Sequence, residues 1–150
     1  MNIDHDLSLD SQLCYALYST MLVLGKLYAL VLADLRLTFP QFLVMLVLWE
    51  EDGLSVRVLG DRLGLDSGTL TPMLKRMEKA GHIWRTRDSQ DKRLVRIGLT
   101  RAGRDLRGSA QCVSCAIAGT ISLPLDRLTQ IRNDLQAVRR SLGLAIGHSP

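Results

Sequence analysis

The 150-residue sequence lacks any uninterrupted apolar run long enough to cross a membrane. The longest such run, Phe42 to Trp49, has eight residues, whereas a spanning helix needs about 20. The first ten residues carry acidic side chains and no basic segment ahead of an apolar one, so they do not resemble a secretion signal. We therefore expect a soluble, cytoplasmic protein that has no membrane partner.

Cysteine is also scarce, and a total of three excludes the disulfide framework of a small secreted domain. Cys112 and Cys115 form a C-x-x-C pair, but no second pair or suitably spaced histidine accompanies it, so we predict neither a metal site nor a cofactor. His5 and His148 lie near the chain ends and His82 follows a predicted helix, so none is placed to activate a thiol. An enzyme is therefore not expected.

The charged residues are unevenly distributed along the chain. From Ser55 to Arg107 there are 13 Lys or Arg against 6 Asp or Glu, while the rest of the chain has 6 against 9. A basic excess in one segment is typical of proteins that bind a polyanion, but a solvated basic surface produces the same pattern. Charge alone leaves both interpretations open.

Apolar spacing predicts mainly helices, with one β-hairpin. A long first helix is expected from Leu9 to about Asp34, capped by Asp10, and a second from Phe39 to Trp49, capped by Thr38. The second helix is apolar on almost every side, which predicts a buried position. Further along we expect helices at Val56 to Leu63, Asp66 or Ser67 to Ala80, Thr100 to about Ala118 and about Leu125 to Leu144, with strands at Ile83 to Arg87 and Leu94 to Leu99.

Helix, turn, helix and hairpin in this order predict a winged helix-turn-helix, so the expected fold class is mainly α with a small β-hairpin wing. We expect a single domain over residues 1–150, with its DNA-binding core at about 36–100 and flanking helices at about 9–35 and 100–146. The apolar stripes of the flanking helices need a partner, and two-fold dimers are common among proteins that read palindromic DNA. The expected partners are therefore a second copy of the chain and double-stranded DNA with a palindromic operator.

The helix that follows the turn carries apolar residues on one face and small, hydroxyl-bearing or basic residues on the other. Small residues at its N-terminal end would let the helix approach bases and phosphates, and basic residues further along would reach the flanking backbone. An ordinary solvated helix has the same pattern, and the hairpin that follows favours DNA. The candidate contacts on this helix are Ser67, Thr69, Thr71, Lys75 and Arg76.

The predicted hairpin carries the second set of candidate DNA contacts. Arg93 lies near its tip, where a guanidinium suits the narrow minor groove, and Asp91 is placed to hold that guanidinium. Arg85, Arg87 and Arg96 lie on the strands, where they would line the phosphate track or serve as ordinary surface residues.

Three blocks of the sequence resemble the MarR family, and within it the organic hydroperoxide-sensing (OhrR-type) repressors. The blocks are LDSQLCYALYS from Leu9, LTFPQFLVMLVLWE from Leu37 and LDSGTLTPMLKRMEKAG from Leu65, followed by a RxxxDxRxxxxxLT pattern from Arg87. The resemblance implies a dimeric repressor that leaves its operator when an organic hydroperoxide oxidises one cysteine, matched here by Cys14. It also implies that Tyr18 and Tyr28 bond the thiolate, and that Asp66 joins Ser67, Thr69 and Arg93 in the DNA-contacting set.

The sequence departs from the family pattern at two places. Phe39 stands where the family has a further supporting tyrosine, which predicts weaker or differently arranged stabilisation of the Cys14 thiolate. Cys115 and Cys112 lie a turn or two before the family's second thiol. Either of them could resolve the oxidised Cys14, or both could serve only in helix packing.

Alternatives to hydroperoxide sensing stay open from sequence alone. Without the resemblance, Cys14 on an amphipathic helix would be interpreted as a buried apolar filler. A MarR-type regulator could instead bind an anionic aromatic ligand between the terminal helices and the DNA-binding core. A third possibility is a protein-interaction module that uses the winged fold without DNA.

Overall fold

The computed structural model describes residues 7–146, so His5 and His148 fall outside it. Six α-helices, two short 3-10 helices and three strands make up the described residues. They group into two units, one up to Ile117 and one from Ala118 on. The helices are α1 (Leu13–Val31), α2 (Phe39–Glu50), α3 (Val56–Leu63), α4 (Ser67–Lys79), α5 (Arg101–Thr120) and α6 (Leu125–Ala145), the strands are β1 (Leu54–Ser55), β2 (Ile83–Arg87) and β3 (Val95–Leu99), and the 3-10 helices are Leu9–Ser11 and Ala33–Leu35.

The first two helices begin in different ways. Leu9–Ser11 is a 3-10 turn, and α1 follows Gln12 with no capping side-chain bond, so the prediction that Asp10 caps this helix is wrong. At α2, Thr38 Oγ1 accepts the Gln41 backbone N–H at 3.4 Å, and the Thr38 backbone N–H donates to Gln41 Oε1 at 2.9 Å. This reciprocal capping box confirms the predicted start of α2.

The small sheet has one strand more than predicted. Its antiparallel order is β1-β3-β2, and β1 pairs Leu54 with Ile97. A two-residue strand has no period that a sequence pattern could reveal. Between β2 and β3, Trp84 lies opposite Gly98, and a Cβ added at Gly98 would lie 2.0 Å from the indole ring. Glycine is therefore required beside this tryptophan.

The core of the first unit lies where α2, α3 and α4 pack together and against the sheet. The predicted burial of α2 is confirmed, and so is the apolar stripe of α4. Ser55 Oγ accepts the Val58 N–H at 3.3 Å and caps α3. The fully buried side chains include Phe42, Met45, Leu48, Leu59, Leu70, Leu74, Met77, Ile83 and Ile97.

The first turn of helix α5 is connected to the end of the sheet and to α2 by hydrogen bonds and close packing. Thr100 Oγ1 accepts the Gly103 N–H at 3.0 Å and donates to the Gly81 carbonyl at 2.6 Å. A Cβ at Gly103 would lie 2.0 Å from the His82 carbonyl oxygen, and the Trp49 indole donates to the Gly103 carbonyl at 2.9 Å. Thr100 therefore caps α5, at a place where glycine permits close packing.

Asp52, in the turn after α2, makes two long-range contacts that the sequence analysis did not predict. Its Oδ1 accepts the backbone N–H of Leu99, at the end of β3, at 2.8 Å. Its Oδ2 lies 3.0 Å from Nη1 of Arg104 on α5. One carboxylate therefore connects this turn to the sheet and to α5.

None of the residues of α1 is buried, and the same holds for α6 within its own unit. Helix α1 is long and apolar enough to cross a membrane by length and composition alone. No long uninterrupted apolar run reveals this property in the sequence, because Ser19, Thr20 and Lys26 interrupt the helix. The helix of a soluble protein that packs against a partner has the same composition.

Candidate nucleic-acid interface and thiol site

The N-terminal end of α4 is organised by Asp66. Its Oδ1 accepts the Thr69 backbone N–H at 2.8 Å, and the Thr69 hydroxyl donates to Oδ2 at 3.1 Å. The bond from the Thr69 backbone, followed by that from its hydroxyl, lowers the pKa of the Asp66 carboxyl below its usual range. Asp66 therefore caps the helix and orients the Thr69 side chain.

The predicted contact residues of α4 lie mostly on its exposed side. Ser67, Thr69, Lys75 and Arg76 are exposed, while Thr71 is half-buried and lines a cleft. The buried stripe of the same helix faces the core. Small groups at the N-terminal end and cations further along are the arrangement that a helix needs to enter a major groove.

The wing is shaped by Asp88, which the sequence analysis did not single out. Asp88 Oδ1 accepts the backbone N–H groups of Gln90 and Asp91 at 2.8 and 3.0 Å, and its carboxylate forms an ion pair with Arg96. The Arg96 guanidinium, aided by these backbone bonds, holds the pKa of Asp88 down at about 2. Aspartate bonding the backbone two residues on is a known turn preference, so this signal was present in the sequence.

Asp91 does not act on Arg93 as the sequence analysis expected. Its Oδ1 accepts the Arg93 backbone N–H at 3.0 Å, and within residues 7–146 the structure has no ion pair between the two side chains. Arg96 also donates to the Gly53 carbonyl at 3.1 Å, so its guanidinium connects the wing to the turn after α2. Arg87 and Arg93 remain exposed cations of the wing.

A cleft of about 490 Å³ lies between α3, the start of α4 and the hairpin. The charged and polar residues that line it include Arg57, Arg85, Arg93, Asp61, Asp66 and Thr71. Arg85 Nε lies 3.7 Å from a carboxylate oxygen of Glu78. Its buried Nε and Nη1 atoms have no hydrogen-bond acceptor in the described part of the chain. The cleft therefore has a small excess of positive charge and contains Arg85 donors that lack a hydrogen-bond acceptor among the described residues.

Cys14 is the second residue of α1 and is exposed within the single chain. Tyr18, one turn further along, is 63% exposed. Tyr28 is half-buried with its ring 4.3 Å from that of Phe39, and burial raises the pKa of its hydroxyl. Cys14 and Tyr28 are 14 positions apart, which is about 21 Å along a helix, so one chain does not bring them together.

Cys112 and Cys115 are also free and exposed, on α5. Neither packs against the core of its own chain. No cluster of three or more His, Cys, Asp or Glu that could hold a metal ion is present among residues 7–146.

The two-helix motif, the three-stranded sheet and the exposed cations on α4 and the wing define a winged-helix DNA-binding fold. A model of the MarR family matches residues 37–95. The transcriptional regulator TtmR of Methylorubrum extorquens is 47% identical over 144 residues, which cover 96% of this chain and 74% of that protein. The organic hydroperoxide resistance transcriptional regulator of Bacillus subtilis is 41% identical over 139 residues, which cover 93% and 94%.

Solved structures of AbfR from Staphylococcus epidermidis have the same fold. Reduced AbfR bound to DNA is 33% identical, with a TM-score of 0.76 over 89% of this chain and 93% of AbfR. AbfR in its disulfide form is also 33% identical, with a TM-score of 0.69 over 89% and 91%. The chain therefore belongs to the MarR family of DNA-binding transcriptional regulators.

Proposed function

We propose that this regulator is a cytoplasmic, homodimeric repressor that binds a palindromic operator and leaves it when an organic hydroperoxide oxidises Cys14. The observation that carries this proposal is the exposed position of Cys14 in the first turn of α1. A reactive thiolate needs solvent access, and a nearby helix N-terminus is one of the features that favour the anion. The similarity to a hydroperoxide resistance regulator and to a disulfide-forming one supports the same function.

The proposed chemistry starts at the Cys14 sulfur. The thiolate attacks one peroxide oxygen, the O–O bond breaks and an S–O bond forms. Sulfur is thereby oxidised to a sulfenic acid, and the peroxide is reduced and leaves as the alcohol after taking up the thiol proton. The Tyr18 hydroxyl would bond the thiolate from the same helix, and Tyr28 would do so across the dimer, because it is too distant within one chain.

A second step would convert the sulfenic acid into a more stable oxidised form. The sulfenic acid condenses with a thiol to form a disulfide and releases water. We propose that this thiol belongs to the second subunit and is Cys115, with Cys112 as the alternative, since both are exposed on α5. Non-reducing electrophoresis after hydroperoxide treatment tests this step. If Cys14 is oxidised but no covalent dimer forms, neither residue takes part.

The proposed DNA interface consists of α4 and the wing. The first turn of α4, capped by Asp66, would place Ser67, Thr69 and Thr71 at base edges or phosphates. Lys75 and Arg76 would reach the flanking phosphates, and the wing would contribute Arg87 and Arg93, with Asp91 shaping its tip through the Arg93 backbone. A second copy of the chain would cover the exposed apolar residues of α1 and α6.

A gel-shift experiment tests the proposed function. It uses the duplex upstream of the chain's own gene and compares wild type with Cys14→Ser, before and after treatment with cumene hydroperoxide. We expect both proteins to bind when reduced and only the wild type to release the DNA after treatment. The variant Cys112→Ser/Cys115→Ser serves as a matched thiol control. Release of Cys14→Ser by the peroxide would contradict sensing at Cys14.

A second candidate function is release of DNA by a reversibly bound anion, and the cleft beside Arg85 favours it. From the sequence, such a pocket is expected between the terminal helices and the DNA-binding core, whereas this cleft lies within the core itself. A carboxylate ligand would supply the acceptor that the buried Arg85 donors lack. Release of the Cys14→Ser protein by benzoate, abolished by Arg85→Gln, would favour this mechanism over oxidation.

A further inference from the structure

Cys112 and Cys115 form a pair of thiols on one side of α5. They are three residues apart, and both are exposed. On the same helix, Ala110, Val113 and Ile117 are buried. Because positions three apart are neighbours on a helix surface, the two thiols lie side by side on the face away from the core.

The spacing of this pair is wrong for a bond between the two sulfurs. Neighbouring Cβ atoms at this helical separation are about 5–6 Å apart, whereas a disulfide requires about 3.5–4.5 Å. Closing such a bond would distort the middle of α5. The pair therefore stays a dithiol under conditions that leave the helix intact.

A metal ion bound between the two sulfurs does not require the Cβ atoms to come as close as a disulfide does. Two metal–thiolate bonds of about 2.3 Å each allow the sulfurs to be up to roughly 4.6 Å apart. Two cysteines that are three residues apart on a helix can place their sulfur atoms at that separation without moving the backbone. The geometry is therefore better suited to chelation than to oxidation within the pair.

The surroundings of the pair restrict which ion it would bind. Thiolates favour soft ions such as Cu(I) and also bind zinc. A structural zinc site needs four protein ligands, and no third histidine, cysteine or carboxylate joins the pair in the described part of the chain. Cu(I) accepts two thiolates as a complete coordination shell.

We propose that Cys112 and Cys115 form a two-thiolate site for Cu(I), separate from Cys14. On binding, each thiol loses its proton and forms one Cu–S bond, and neither copper nor sulfur changes oxidation state. The site needs both thiols reduced, so copper binding and a disulfide to Cys14 would exclude each other. The proposal does not depend on how the regulator is released from DNA.

The test is a titration of the full-length reduced protein with Cu(I) under anaerobic conditions, in competition with the chromogenic chelator bicinchoninate. We expect one Cu(I) per chain in the wild type and in Cys14→Ser. Cys112→Ser and Cys115→Ser should each lose that equivalent. Failure of the wild type to compete, or retention of the equivalent by either single variant, would overturn the proposal.

A relocated thiol supplies the matched control for geometry. The variant Ser114→Cys/Cys115→Ser keeps three cysteines but places the pair two residues apart, where the side chains point about 200° away from each other around the helix. We expect it to lose the copper, with its helical circular dichroism unchanged. If it binds copper as the wild type does, the spacing is irrelevant and the assigned site is wrong.

Discussion

Helices α1 and α4 are both rich in apolar residues, but they differ in what covers those residues. Helix α4 packs its stripe into the core, where Leu74 is 1% exposed. Helix α1 has no buried residue, and Leu30 near its end is 76% exposed. An apolar pattern therefore identifies which side chains avoid water, but it does not say whether the same chain or another one covers them.

The largest expected effect comes from truncating one leucine in each helix. Leu74→Ala should lower the free energy of unfolding by about 2–5 kcal/mol at every protein concentration, because it leaves a cavity in the core. Leu30→Ala should act through the dimer, so we expect a smaller loss of unfolding free energy, whose size depends on protein concentration. Urea denaturation at two concentrations, combined with light scattering, measures both. A Leu30→Ala loss that is independent of concentration would contradict a role at the dimer interface.

The sequence was sufficient to predict features that depend on neighbouring residues. Helices α2, α3 and α4 combine a local cap, at Thr38, Ser55 or Asp66, with an apolar face that this chain itself buries. Periodicity and capping preferences therefore located the winged helix-turn-helix, together with most of the exposed residues of its proposed DNA-binding surface.

Features set by distant residues could not be predicted in the same way. Asp52 bonds a backbone group 47 residues away, and β1 exists only because it pairs with β3. In the wing, choosing between Asp88 and Asp91 as the partner of an arginine required knowing which residues the hairpin register brings together. The roles proposed for Cys14, Tyr28 and the α1 face involve a second copy of the chain, so patterns within one sequence do not reveal their contacts.

A smaller effect is expected from Asp52, whose removal tests how much its contacts with the sheet and α5 stabilise the fold of the single chain. Asp52→Ala leaves the Leu99 N–H and Arg104 without their partner, and we expect a loss of about 1–3 kcal/mol in thermal or urea unfolding. The control is Asp105→Ala, whose only described ion pair, with Arg101 at 4.0 Å, is fully on the surface and should contribute almost nothing. Equal losses in both variants would show that Asp52 is no more than a surface charge.

Arg93, like most residues of α1, is exposed. Its guanidinium has no ion-pair partner among the described residues. Arg93→Ala should leave folding stability unchanged, weaken operator binding several-fold and reduce the salt dependence of binding by about one counterion. The control is Arg101→Ala on α5, a side chain that is 96% exposed. Fluorescence anisotropy at several salt concentrations gives affinity and slope together. An unchanged slope for Arg93→Ala would remove the wing tip from the interface.

The smallest effect concerns Asp88, whose partners all lie within the wing. Because its pKa is lowered from 3.8 to about 2 in the folded protein, the stabilisation is fully present above about pH 4 and is lost as the pH falls towards 2. We expect the backbone amide resonances of Gln90 and Asp91, which donate to this carboxylate, to titrate with a midpoint near 2 in NMR spectra. Arg96→Gln should move that midpoint upwards, since the guanidinium is the main cause of the lowered pKa. A wild-type midpoint near 4 would mean that Arg96 does not stabilise the wing through Asp88. The wing would then resemble α1, whose exposed residues we expect a second molecule to contact.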